Sequence, residues 1–314
     1  MEINDLIFKE LIKRGYSLEG NTRVWNIADS KLWYLTPEQA QAYLDLENVK
    51  DYNNKMFDTE IGMLKQFMPQ ISTKVLNGDT INIIDIGCGD GKKAIPVIDL
   101  LNEKVKLRYC PIDISRHMVS RAIEKIKALH KGEVVEFRWN ISDFDNLENV
   151  ASLLIDEEFR QNFLLFLGST ISNFEFNEVM YEVAEAMSNT DYLLMGVALN
   201  TSTPDEIVKS YTTSKVDKFL YLMLKQIGFE RDDVEMGVRF KNSRVEVFYT
   251  VKKDRKIDFG DKSLYFQKGD QILVAVSYRY NEAELRTMLK FYFKTVKFYF
   301  NDNKTWALGL CKKM

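Results

Sequence analysis

Cysteine and histidine are both scarce in this chain of 314 residues. Its three cysteines, Cys88, Cys110 and Cys311, lie far apart, which argues against a disulfide framework or a thiolate zinc cluster and fits a reducing compartment. Two histidines, His117 and His130, are too few for a histidine-based metal site or a Ser/His triad, so no metal is expected. No uninterrupted apolar run approaches the ~18 residues of a membrane span. An excess of basic charge is missing too: 43 Lys+Arg stand against 46 Asp+Glu, with a formal net charge of −3 and a pI of about 5.7. That balance argues against a broad nucleic-acid-binding face. There is no internal repeat and no low-complexity tract. Glu2 and Asp5 mark an N-terminus without a signal-peptide pattern. The expectation is a cytoplasmic protein with a small-molecule substrate and no nucleic-acid or membrane partner, its oligomeric state open with a monomer favoured. Hydrophobic residues, by contrast, make up 46%, enough for one large domain or two modest ones.

The most informative stretch is Ile81-Asn-Ile-Ile-Asp-Ile-Gly-Cys-Gly-Asp-Gly91. The run Ile83 to Ile86 reads as a buried parallel strand, and glycines follow at 87, 89 and 91. Ala94, Val97, Ile98 and Leu101 then recur on one side of a helix. Strand, glycine loop and helix start together build a nucleotide-type site. A side chain at these glycines would hold a ligand off the backbone and resist positive φ. A dinucleotide fingerprint would put its third glycine at 92, where Lys92 stands. Nor do Lys92 and Lys93 make a Walker loop, which needs G-K-[ST] after four spacer residues, and they read as solvated. The acid ahead of the loop, Asp85, and the G-x-G-x-G spacing are similar to the loop that holds S-adenosylmethionine (SAM) in class I methyltransferases.

Residues 1–78 show helical periodicity: Ile7, Leu11 and Ile12 suggest a short helix, Thr36-Pro37 a capped start, and 58–67 a further helix. Asn77-Gly78 marks a turn. Strands are expected at 82–86, 106–113, 134–139, 162–167 and 190–199, with helices near 91–101, 116–129, 147–158 and 177–187. This alternation implies right-handed crossovers and a mostly parallel α/β sheet flanked by helices, with ligands at the carboxyl ends of its strands. Residues 200–270 are irregular again: a helix from Thr203-Pro204, another from Val216 to Ile227, and a hairpin over 235–252. Asn281 caps a last helix (282–292), and strands near 295–300 and 305–311 close the chain. The predicted division is an accessory or substrate domain from 1–78 and an insertion at 200–275, and a Rossmann-like core from 79–199 and 276–314.

Asp113, in Tyr109-Cys-Pro-Ile-Asp-Ile-Ser115, ends the second core strand. A carboxylate there accepts both hydrogens of a ribose diol, or it merely caps the helix beginning near Ser115. Asp143-Phe144 follows the third strand and offers an acceptor for an exocyclic amine and a ring for a purine; the alternative is a loop acid beside a core Phe. Asp85 either organises the loop amides or meets the amino group of the methionine part. Cys88 reads as a small residue where backbone meets ligand rather than as a nucleophile.

Several segments together resemble the histidine-specific SAM-dependent methyltransferase family, the type that makes trimethylhistidine for ergothioneine. Ile84-Asp-Ile-Gly-Cys-Gly-Asp-Gly-Lys-Lys is similar to that family's loop, Tyr109-Cys-Pro-Ile-Asp-Ile-Ser to its second strand end, and Ser142-Asp-Phe to its A-D-F segment. Leu165-Phe-Leu-Gly-Ser-Thr-Ile-Ser-Asn173 resembles F-L-G-G-T-I-G-N, the most specific of these matches, and Met195-Gly-Val-Ala-Leu resembles the fifth strand. The resemblance runs from about residue 80 onward. It implies a class I methyltransferase core with an accessory domain, the amino-acid substrate lying between the two. The cofactor contacts it implies are Asp85, Gly87, Cys88, Gly89, Gly91, Lys92, Asp113, Ile114, Asp143, Phe144 and Gly168. Asn173 would bond the substrate's α-amino or carboxylate group, Tyr211 would grip the carboxylate, and these two are the candidate catalytic residues. Ser277 would be a side-chain contact, and Tyr34 and Tyr52 further substrate contacts. A glutamate that meets the imidazole in the family falls on Ala275 here. Losing such a buried partner costs on the order of 1–3 kcal/mol, so either the substrate is not histidine or another residue supplies the contact; the acceptor is expected to be a small amino acid or related amine, not strictly histidine.

Methyl transfer from a sulfonium is a direct displacement. It needs a neutral lone pair in line with the S–CH3 bond, about 3 Å away, and exclusion of water. A macromolecular acceptor, or a non-catalytic SAM-binding protein, are the alternatives. The acidic pI and the absence of an Asn-Pro-Pro-Tyr motif argue against the RNA form of the first.

Overall fold

Hydrophobic patterning changes near residue 80, where a strand buried from Ile81 onward begins. The computed structural model describes residues 3–47 and 52–313. Residues 3–47 form α1 (Ile3–Arg14), β1 (Tyr16–Glu19), β2 (Thr22–Asn26) and α2 (Pro37–Glu47). Thr36 starts α2 as expected, its Oγ1 accepting the Gln39 amide at 3.1 Å ahead of Pro37 at the first helical position. Then come α3 (Tyr52–Val75), β3 (Thr80–Ile86), α4 (Ile95–Asn102), β4 (Lys106–Ile112), α5 (Arg116–Lys127), β5 (Glu133–Val134), α6 (Leu147–Leu154), β6 (Asn162–Phe166), α7 (Phe176–Glu185) and β7 (Tyr192–Ala198). The next stretch holds α8 (Pro204–Tyr211), α9 (Ser214–Gln226), β8 (Val234–Lys241), β9 (Arg244–Val251), β10 (Arg255–Phe259), β11 (Lys262–Phe266) and β12 (Gln271–Tyr278). The chain closes with α10 (Glu282–Leu289), β13 (Phe293–Phe300) and β14 (Trp306–Lys313). No described helix is long and apolar enough to cross a membrane.

The elements sort into two units, one from residues 1–49 and 202–279, the other from 50–201 and 280–314. The division falls at 49/50 and not at the expected 78/79, because Met63, Leu64, Met68, Ile71 and Val75 of α3 are buried in one apolar core with Ile81, Ile83 and Val97. The far crossing falls at 279/280 and not at 275/276, since β12 runs on through Tyr278 in the first unit's sheet.

In the first unit the sheet order is β1-β2-β12-β9-β8. Ile7, Leu11, Phe219 and Met223 from α1 and α9 share its core with Val245, Val247, Tyr249, Ile272 and Val274. The strands β1, β2, β10 and β11 were not expected. Their runs are short, and β1 is exposed along its whole length, so it carries no alternation to read.

In the second unit seven strands follow the order β13-β14-β7-β6-β3-β4-β5. β3 pairs in parallel with β4 and β6, and β6 with β7, while β14 runs antiparallel between β7 and β13. β3, β4, β6 and β7 are buried on both faces almost throughout, which is why they read as apolar runs. The strand expected at 134–139 is only two residues long: the chain turns at Arg138–Asn140, where the Asn140 side chain accepts from the Phe137 amide and donates to Pro111 O at 2.8 Å. From β3 the chain winds outward through β4 to β5, then returns to β6 on the other side. The topological switch point therefore lies at the carboxyl ends of β3 and β6.

The amino end of the sheet is held by buried amides. Asn82 donates to Leu154 O (2.8 Å) and Asn162 Oδ1 (3.1 Å), and Asn162 donates to Ala151 O (3.1 Å). Asn82→Ala strips both acceptors of their donor in a site with no exposure. It is expected to cost about 1–3 kcal/mol, read as a lower urea midpoint at unchanged slope.

Candidate active site

Three parallel strand ends deliver the groups at the switch point. After β3, Gly87, Gly89 and Gly91 all take positive φ (66°, 53° and 78°), as the spacing implied. The Gly87 and Cys88 amides both donate to Ile112 O, at 2.8 and 3.1 Å. Asp113, just past β4, accepts the Gly89 amide on Oδ2 (3.1 Å) and the Ser115 amide on Oδ1 (2.9 Å). Both earlier readings of Asp113 thus have a geometric basis: it braces the start of α5 and the glycine loop. Each oxygen keeps further acceptor capacity for a diol. A Cβ on Gly89 would meet no protein atom within 4 Å, so glycine there keeps the backbone approachable instead of relieving a clash. Burial pushes the Asp113 carboxyl up to about 6, against the backbone hydrogen bonds that pull it down.

Beneath the loop, Asp85 is 3% exposed and accepts the Tyr109 hydroxyl at 2.7 Å. Burial pushes its carboxyl up to about 7, opposed by the Tyr109 bond and by Lys93, while the charges of Asp113 and Glu60 add to the rise. Cys88 is buried and its thiol is pushed well above the ordinary range, chiefly by burial, which disfavours the thiolate.

Glu60, on α3, escaped the sequence reading. It is fully buried, and its two oxygens accept the Gly168 amide at 3.0 and 2.9 Å. A signal was there: Glu60 shares the helical phase of Met63, Leu64 and Ile71, and a charge on a core-facing stripe is rarely idle. Gly168 itself has φ 76°, and a Cβ there would come within 2.6 Å of Lys93 Nζ. It opens the turn that leads through Ser169, in the left-handed region, to Asn173. Asn173 is half-buried, and its side chain makes no hydrogen bond among the described residues.

Asp143 caps the turn Phe144–Asn146, accepting the Asp145 amide at 3.2 Å. The half-buried Phe144 ring packs edge-on against Phe166 and Phe174, at 5.5 and 4.9 Å. Ile114 lies half-buried beside Asp113. Lys92 is not simply solvated: its ammonium stands 3.1 Å from Asp90 Oδ2, and its amide donates to Asp90 Oδ1 at 3.3 Å. Its charge therefore helps hold the loop.

In the first unit, Tyr211 at the end of α8 donates to Ser277 Oγ on β12 at 3.0 Å, so the structure brings these two candidates together. Arg279 Nη2 donates to Tyr211 Oη at 2.6 Å, a third member the sequence reading passed over although 275, 277 and 279 alternate onto one face. Ala275 and Val247 are register partners, 6% and 1% exposed, inside the apolar core. Tyr34 packs in an aromatic cluster with Trp33, Tyr43 and Phe219, the packing role that its abundance class favours. Tyr52 begins α3, and its side chain lies outside the described residues.

A glycine loop after the first core strand, an acid closing the second, and an otherwise parallel seven-stranded sheet with one reversed strand beside the edge define a class I SAM-dependent methyltransferase. The chain belongs to the histidine-specific, SAM-dependent methyltransferase family, whose model matches residues 41–313, as the resemblance implied. SAM is its cofactor, and the loop and Asp113 fit it. Solved structures similar to this chain include a SAM-dependent methyltransferase from Clostridium acetobutylicum ATCC 824, at 11% identity and TM-score 0.45, covering 87% of this chain and 98% of that one. The PH0226 protein from Pyrococcus horikoshii OT3 matches at 13% and 0.46, covering 89% and 100%. A possible histamine N-methyltransferase from Thermotoga maritima matches at 12% and 0.41, covering 88% and 99%. No curated protein sequence matches the chain.

Glu60 depends on Gly196 of β7, where a Cβ would fall 1.6 Å from Glu60 Oε1. Gly196→Ala is expected to evict the carboxylate from Gly168, lower the melting temperature, and weaken SAM binding by calorimetry. Glu60→Gln, which can still accept the amide, is expected to lose less of either.

Proposed function

We propose that this methyltransferase transfers the methyl group of SAM to the amino nitrogen of a small amino acid or related amine, and that it is not strictly histidine-specific. The observation that carries the reading is Asn173: a half-buried amide with no hydrogen bond of its own among the described residues, at the carboxyl end of β6 beside the switch point. Such a group is suited to orienting an amine. The Tyr211–Ser277 pair supplies further polar contacts in the first unit. The buried, apolar Ala275 offers nothing to an imidazole.

SAM supplies a methyl group on a sulfonium, an electrophile that needs no covalent help. The work of the chain's own residues is binding, orientation and water exclusion. In this reading the amides at the glycine loop and α4 start hold the methionine carboxylate. Asp113 accepts from the ribose diol, Asp143 from the adenine amine, and Phe144 packs on the purine. Asp85 and Glu60 place negative charge under a cationic cofactor. An α-ammonium, with pKa about 7.7–8.0, gives its proton to water before attack, and Asn173 orients the resulting lone pair.

A methyl-transfer assay over a panel of amino acids and amines tests the proposal directly; cofactor binding without turnover on any of them contradicts it. The carboxylates give a second test. Asp85 at about 7 and Asp113 at about 6 must be ionised to complement the cofactor. SAM affinity is therefore expected to fall as pH drops from 8 to 5.5, by up to about tenfold per pH unit for each proton taken up. Folding without ligand goes the other way. Both folded values lie above the unfolded value of about 3.9, so the folded state binds these protons more tightly. Their contribution to stability is full below about 4 and is lost as pH rises through 6 to 7. Asp85→Asn is expected to flatten the arm near 7 in both titrations, and an unchanged profile contradicts the role given to Asp85.

A further inference from the structure

Charge is unevenly spread along this chain. Over 290–313 six lysines stand against one acid, Asp302, in a protein whose formal net charge is −3. Elsewhere in the second unit five lysines rest on carboxylates: Lys92 and Lys125 on Asp90, Lys106 on Glu158, Lys127 on Glu136 and Lys131 on Asp99. Of Lys290, Lys294, Lys297, Lys304, Lys312 and Lys313, none has a carboxylate within 4.0 Å among the described residues. Two lie on β13, Lys290 precedes it and Lys304 follows it, and Lys312 and Lys313 stand opposite Thr295 and Phe293 on β14. β13 is the end strand of the seven-stranded sheet. It pairs with β14 on one side, and among the described residues no strand pairs with its other side, which leaves about 26 Å of main-chain N–H and C=O groups without a ladder. Val296, Phe298 and Phe300 alternate onto one face and are each half-buried, with the two rings 5.9 Å apart. Phe291, just before the strand, is 70% exposed.

Lysines on an edge strand discourage stray pairing, and Lys294, at the register shift, and Lys297 serve that end. Guarding calls for no lysines off the strand, and it gives no role to the half-open row of Val296, Phe298 and Phe300. We propose that the outer edge of β13 docks an acidic, extended segment of another protein, which adds to the sheet as an eighth strand. Main-chain groups at strand spacing are matched by a polypeptide and not by a nucleic acid. Side chains of an added strand alternate in the same way. Its apolar residues would lie along Val296, Phe298 and Phe300, and its carboxylates would meet the lysines. The surface belongs wholly to the second unit and does not depend on which amine accepts the methyl group.

The test is fluorescence anisotropy with the full chain and a labelled peptide of alternating Glu and Val. Three further probes accompany it: the same peptide with Lys for Glu, the same peptide with prolines replacing two central valines so that its charge is kept, and a single-stranded RNA oligonucleotide. The proteins are wild type, Lys294→Glu/Lys297→Glu on the strand and Lys290→Glu/Lys304→Glu off it. Wild type is expected to bind the acidic peptide saturably, more weakly as salt is raised, and to bind the lysine and proline peptides at least about tenfold more weakly. Both double variants are expected to lose about tenfold or more for the acidic peptide. Their SAM affinity and melting temperature stay unchanged, which shows that they are folded. Amide hydrogen exchange over 293–300 is expected to slow when the acidic peptide is bound. No saturable binding at millimolar peptide leaves the lysines as edge guards and overturns the inference. Equal affinity for the proline peptide, tighter binding of the RNA, or a concentration-dependent dimer of wild type that both double variants abolish would each overturn it as well.

Discussion

One carboxylate, Asp113, holds two backbone amides that are distant in sequence: Gly89 in the glycine loop and Ser115 at the start of α5. The shape of the cofactor end depends on this bracket. β4 pairs with β3 in parallel register through Ile86 and Ile112, so the residue after β4 arrives beside the loop that leaves β3. The Ile112 carbonyl takes the next two amides, Gly87 and Cys88, and Ala122 of α5 packs against Gly91, where a Cβ would stand 3.1 Å from the Ala122 backbone. The result is a loop fixed from three sides, with Gly89 turned to open space. Pre-organisation of this kind lets a ligand bind without first ordering its site.

The same end of the sheet concentrates negative charge in poor solvent. Asp85 and Glu60 are buried and Asp113 partly so, and their mutual influence is part of why the Asp85 carboxyl is raised to about 7. Lys93 and the Tyr109 hydroxyl offset some of this. Stability alone does not favour such a cluster, since apolar packing of the same volume is often at least as stable. The fold thus carries an electrostatic cost at this end of the sheet.

How much of this was legible follows from burial. β3, β4, β6 and β7 are covered on both faces and announce themselves as apolar runs, and the glycines and Asp113 sit at their ends where the spacing fixes their meaning. The hairpins β1–β2 and β10–β11 are short and partly exposed, so no hydrophobic period marks them. The division at 49/50 was invisible because α3 follows other helices with no break in composition; only its packing with β3 and α4 assigns it. Glu60 and Arg279 were missed for a different reason. Each is one polar residue in an amphipathic pattern, and only its partners, a glycine amide and a tyrosine hydroxyl, separate it from a solvated charge. Tyr34 was read from its type alone, and its ring packs with Trp33, Tyr43 and Phe219.

The account stands on the loop from Gly87 to Gly91 holding SAM through backbone that is approachable at Gly89. The direct measurement is a calorimetric titration of SAM into wild type and Gly89→Ala. The added methyl meets no protein atom within 4 Å, so beyond modest strain at a φ of 53° its effect falls on whatever lies against the loop. The account predicts saturable binding by wild type and a loss of at least about tenfold in the variant, both remaining folded. Equal affinity in the two proteins, or no binding by wild type at millimolar SAM, would contradict it.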